Sequence, residues 1–106
     1  MDRELFAKIQ RRLVEEEKLP IPYAAVLAAQ ALYDFAPELQ QAVLRWAEGK
    51  SVAEAELDGT TVEEIQEEIG GSEFLGLCVL NQVVRHPGCF EAAVLNVQRD
   101  FVDWEK

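Results

Sequence analysis

Eight residues punctuate this chain and set the kind of fold open to it. Pro20 and Pro22 fall in "LPIP", Pro37 follows "DFA", Gly49 ends "RWAEG", Gly70-Gly71 interrupt "EIGGS", and Pro87-Gly88 close "RHPG". Proline cannot donate within a helix interior, and glycine past the end of a helix favours the left-handed turn that stops it. The pieces left between these breaks carry helical periodicity. Leu5, Ile9 and Leu13 recur every four residues, widened by Phe6 and Val14, and predict a first helix over 3–18 with Asp2 as its N-cap. Opposite charges at Glu4–Lys8, Arg11–Glu15 and Arg12–Glu16 support a solvated outer face for it.

The second piece, 22–33, has Gln30 as its one strongly polar residue between Tyr23 and Tyr33. A helix apolar on all sides reads as a central one, with Ala25, Leu27, Ala28 and Leu32 inaccessible, and the fifth helix further along the chain reads equally as a central helix wrapped by the others. A third helix opens at Pro37 and ends at Gly49, turning Leu39, Val43, Trp46 and Ala47 inward. Residues 50–60 form a connection, in which the alternation over 52–57 permits a short extended piece. Thr61 with Glu64 makes a capping box for a short helix over 62–69. Ser72 caps a fifth helix running to about His86, and Phe90, Val94, Val97, Phe101 and Trp104 form the seam of a sixth. The expected fold is all-α: one domain over 1–106, with five or six short helices in orthogonal packing and a helix-turn-helix-like segment at 61–86.

Charge is the second constraint. The net charge is −10, and it is concentrated: residues 51–84 contain eight Asp and Glu and no Lys or Arg. Such a field opposes nucleic-acid phosphate and anionic membrane and favours a basic partner. On a helical wheel Glu63, Glu64, Glu67 and Glu68 span an arc of about 140°, opposite Val62, Ile65 and Ile69. Glu54, Glu56 and Asp58 precede this ridge and Glu73 follows it. These eight carboxylates are the candidate partner-binding residues.

Several other chemistries fail on residue type. "TVEEIQEEIGGS" and the apolar helix after it resemble the bacterial helix-turn-helix pattern, which implies a tri-helical DNA-reading unit. However, the would-be recognition helix opens Glu73, Phe74, Leu75, Gly76, Leu77, without the polar or basic side chains that read base edges. "EAELDGTTVEEI" resembles an EF-hand calcium loop, but its twelfth position is Ile65 where a bidentate Glu is required. Cys78, His86 and Cys89 do not close a tetrahedral zinc site, and no glycine-rich phosphate loop is present. Catalytic, metal-ligating and cofactor-binding residues are therefore expected to be none.

Two cysteines are too few for a disulfide scaffold. The N-terminus lacks the apolar run of a signal peptide, and the apolar stretch 74–84 is far shorter than a membrane span. A reducing, cytoplasmic setting is the expectation. The expected role is non-enzymatic: a protein–protein interaction or regulatory module that docks a basic partner on its acidic ridge, in mimicry of nucleic acid. The alternative is a structural or assembly protein that forms a homodimer through apolar faces of the fifth and sixth helices, with Trp46, Phe74 and Trp104 as anchors. Small acidic proteins of phages and mobile elements supply an analogy for either role.

Overall fold

In the computed structural model, which describes residues 3–57 (at Leu57 the backbone alone), 59–70 and 72–102, the punctuation divides the chain as its residue types dictate. Among the described residues six α-helices succeed one another: α1 Arg3–Glu15, α2 Ile21–Tyr33, α3 Gln40–Ala47, α4 Val62–Ile69, α5 Glu73–Arg85 and α6 Phe90–Val97. A 3-10 turn at Pro37–Leu39 leads into α3, and a π-helical turn at Gln98–Val102 continues α6. The single sheet is a two-stranded antiparallel ladder, β1 Glu56–Leu57 against β2 Thr60–Thr61. This is the all-α domain expected, packed to a radius of gyration of 12.5 Å. The proposed N-cap Asp2 and the seam residue Trp104 lie outside the described residues.

The helix ends are closed by the groups that the sequence offers. Thr61 Oγ1 accepts from the Glu64 N–H at 3.2 Å, and Ser72 Oγ from the Leu75 N–H at 3.3 Å. After α3, Gly49 takes φ +86°, and the N–H groups of Gly49 and Lys50 return to the carbonyls of Trp46 and Arg45. These two bonds form a Schellman ending, which only a residue tolerant of positive φ permits at low cost. α1 stops at Glu15, three residues before the expected end, and Lys18 takes φ +60° ahead of the two prolines.

The central helix is α5 rather than α2. Eight successive residues, Phe74 to Asn81, are buried on every side, and α5 packs against α3, α4 and α6. α2 instead buries one stripe, Ala24, Leu27, Ala28 and Ala31, at the i, i+3, i+4, i+7 spacing. Of the four residues expected to be inaccessible, Leu27 and Ala28 are buried while Ala25 and Leu32 are only half-buried. Its outer side exposes Val26 at 49% and Tyr33 at 64%. A helix apolar all round carries no amphipathic signal to say which side faces the core. Here its place at the edge, packed on α1, decides.

Of the three ion pairs expected along α1, only Arg12–Glu16 closes. Arg12 also turns inward. Its guanidinium lies 4.2 Å from the centroid of the Trp46 ring and donates to the Trp46 carbonyl at the end of α3. Trp46 in turn meets Phe74, with ring centroids 4.5 Å apart, and Phe74 stacks on Phe35 at 6.1 Å. α5 approaches α4 closely at Gly76, where a Cβ would stand 2.9 Å from Val62 Cγ1 and 3.3 Å from the Val62 carbonyl oxygen.

Among the described residues Asn81 is the one buried polar residue, and its Oδ1 accepts from the Ala36 N–H at 2.9 Å. One turn further along α5, Arg85 Nε donates to the Asp34 carbonyl at 2.7 Å. These two bonds fasten the corner between α2 and α3 to the central helix. Asn81→Ala leaves the Ala36 N–H unpartnered and is expected to cost about 1–3 kcal/mol, read as a lower midpoint in urea unfolding. Arg85→Ala, which removes an exposed contact, is expected to cost less than about 1 kcal/mol.

Candidate functional site

The ridge is built on α4. Val62, Ile65 and Ile69 are buried, which turns Glu63, Glu64, Glu67 and Glu68 out to solvent. The hairpin ahead of the helix is fixed to it through the backbone. The Val62 N–H donates to the Ala55 carbonyl at 2.9 Å, and the Glu63 N–H to the Ala53 carbonyl at 3.0 Å. With the Thr61 cap, these bonds satisfy the first donors of the helix that would otherwise have no partner. They also hold Glu54 and Glu56, both exposed, beside the start of α4. Six of the eight expected ridge carboxylates thus share one rigid unit, while Asp58 lies outside the described residues.

Glu73 is a correction. Its Oε1 accepts from Ser51 Oγ at 2.9 Å and from the Val52 N–H, so its half-buried carboxylate pins the start of the hairpin connection to α5. Sequence spacing placed it next to the ridge, but as the first residue of a central helix it points back into the fold.

Among the described residues, ion pairs join Arg12 to Glu16, Lys50 to Glu48, Arg85 to Asp34 and Arg99 to Asp100. None involves a ridge carboxylate. The Glu63/Glu67 and Glu64/Glu68 pairs repel at i,i+4, each by about 0.2–0.5 kcal/mol. The acids in the first turn recover part of this from the helix dipole. Glu64 Oε1 lies 3.3 Å from Thr61 Oγ1, its one side-chain contact.

A second polar cluster was not anticipated. Ser72, the cap of α5, donates from its hydroxyl to Glu17 Oε1 at 2.5 Å. Burial pushes the Glu17 carboxyl up to about 7, against the opposing pull of Ser72 and Arg12 and with the help of Glu16 and Glu73. Behind it, burial and the Glu17 charge push the Cys78 thiol up as well. A signal for this was present: Leu5, Ile9 and Leu13 lie four apart, and the next position on that stripe is Glu17.

The other expected chemistries can now be placed. Of the residues that would open a recognition helix, Phe74, Leu75, Gly76 and Leu77 are buried in α5 and Glu73 is half-buried. Within the calcium-loop-like stretch, Glu56–Leu57 and Thr60–Thr61 pair as β1 and β2, Gly59 takes φ +83°, and Val62 already opens α4. No group of three or more His, Cys, Asp or Glu converges as a metal site among the described residues. His86 and Cys89 stand exposed at the corner between α5 and α6, whereas Cys78 is buried. No helix among the described residues is long and apolar enough to cross a membrane. The apolar anchors are displaced too. Trp46 and Phe74 lie in the core, at 3% and 0% exposure, and so are not surface anchors. Comparison of the chain with models of known families, with curated proteins and with solved structures finds no match.

Proposed function

We propose that this protein is a non-enzymatic docking module whose acidic ridge engages a basic surface on a partner protein, competing there with nucleic acid by presenting carboxylates where phosphates would lie. One observation carries the reading: four exposed carboxylates on α4, with Glu54 and Glu56 held beside them, have no ion-pair partner within the described chain. The helix dipole offsets only part of their mutual repulsion, a cation from outside would relieve more of it, and a backbone-fixed support presents them with little ordering cost.

Changing Glu63, Glu64, Glu67 and Glu68 together to Gln tests this. The thermal midpoint should move little, because loss of two repulsive pairs is offset by loss of dipole support. Capture of the basic partner should collapse, chiefly through slower association. Wild-type capture should also weaken as added salt shortens the screening length. Full-strength capture by the quadruple variant overturns the ridge as the site.

A second reading, assembly through apolar contact, draws on a different face from the one expected. Ile21, Val26 and Tyr33 of α2 are exposed, at 64%, 49% and 64%. Sedimentation of Val26→Lys beside the wild type tests it, since a homodimer built on α2 should dissociate.

A further inference from the structure

The ridge borders a groove between α3 and the hairpin, and this groove gives the partner a more definite chemistry. Its volume is about 750 Å³, within the range of built binding clefts. Ala42 of α3 and Ala53 and Ala55 ahead of β1 line it without polar atoms in their side chains. Four carboxylates rim it: Glu38 from the turn before α3, Glu54 and Glu56 from the hairpin segment, and Glu63 from α4. All four are exposed, and none is ion-paired among the described residues. One cation, Arg45, stands on the α3 wall and is also unpaired there. Among the described residues the groove is therefore acidic by a margin of three charges, and Arg45 neutralises none of the four by contact.

Alanine side chains lining the same groove as four carboxylates match a side chain that is aliphatic along its stem and cationic at its tip. Lysine and arginine bury such stems on apolar surface while the charged head stays among polar groups. A bare metal cation gains nothing from the alanines, and a nucleic acid is repelled by the rim. We infer that the groove between α3 and the hairpin receives a lysine- or arginine-bearing segment of the partner protein, one basic side chain lying along Ala42, Ala53 and Ala55 with its cation among Glu38, Glu54, Glu56 and Glu63. This rests on the ridge reading and deepens it: the outer carboxylates of α4 steer the partner, and the groove sets which residue it must present. Arg45 opposes a second cation at its end of the groove, so the basic residue enters from the hairpin side.

The probe is hexalysine, acetylated and amidated at its ends, titrated into the 15N-labelled protein at low salt. The amides of Ala42, Ala53 and Ala55 should shift together with those of Glu63 and Glu67. Gln41→Trp, an exposed change on the groove wall, should weaken the peptide about fivefold while leaving every carboxylate in place. Arg45→Gln should tighten it about threefold by removing a like charge. Should Gln41→Trp fail to fold, Gln66→Phe fills the groove from the α4 side. If the peptide shifts only Glu64, Glu67 and Glu68 and the filled groove binds as wild type, the groove inference falls and the ridge reading stands. If the peptide shifts nothing, or binds equally well in high salt, both fall.

Discussion

Replacing Glu17 with glutamine is expected to stabilise the protein at pH 8 by about 2 kcal/mol and to change it little at pH 4. The carboxyl ionises near 4.5 in the open chain and near 7 in the fold. Between those values the folded state holds a proton that the unfolded chain has released. Stability attributable to this group is therefore complete below about pH 4.5, falls as the pH rises, and levels off above about pH 7. The whole difference corresponds to about 3 kcal/mol, and the partial exposure of the side chain brings it toward 2. Glutamine keeps an oxygen that can accept from the Ser72 hydroxyl, so the contact between the end of α1 and the cap of α5 survives while the charge does not. Urea unfolding of both proteins across this range checks the sign. Parallel curves, with no closing of the gap at low pH, would mean that Glu17 is solvated. Ser72→Ala should lower stability at every pH, because the Leu75 N–H loses its cap, by about 1 kcal/mol.

The part of this molecule that could be read in advance is the part fixed by neighbours in sequence. Caps at Thr61 and Ser72, the glycine endings at Gly49 and Gly70, and the inward stripe of α3 all depend on residues within a turn or two of one another. The wheel arithmetic for α4 holds for the same reason: three buried apolar residues leave its four glutamates one side to occupy. What the sequence left open, between α2 and α5, was which apolar helix the others surround. α2 and α5 both read as continuous apolar runs, and their places follow from contacts across the chain: α1 against α2, and α3, α4 and α6 around α5. The roles of individual polar groups were hidden likewise. Arg12 belongs by spacing to a solvated face and does pair with Glu16, yet it also reaches Trp46, 34 positions away. Glu73 looks like one more ridge acid, but its partner is the Val52 N–H, 21 positions back. Glu54 and Glu56 join the ridge only because the hairpin carbonyls accept from the start of α4.

Phe74→Ala is expected to be the most damaging single substitution, costing about 3–5 kcal/mol and lowering the thermal midpoint by more than about 10 °C. Phe74 is fully buried at the start of α5, between Trp46 and Phe35. Its removal opens a cavity where α3, α5 and the corner before α3 meet, and it withdraws the partner of the ring on which Arg12 lies. A surface anchor for self-association would behave otherwise: its truncation changes stability by less than about 0.5 kcal/mol and acts on association alone. Leu95→Ala supplies that comparison on the exposed side of α6, where the side chain is 64% exposed, and should leave the midpoint almost unmoved. Thiol labelling gives an independent reading. In the wild type Cys89 should react quickly and buried Cys78 only on unfolding, because a desolvated thiol forms little thiolate. Cys78 lies one turn beyond Phe74 on the same helix, so Phe74→Ala should speed its labelling in proportion to the lost stability. Unchanged Cys78 protection together with a small shift in midpoint would remove Phe74 from the core and return it to the surface.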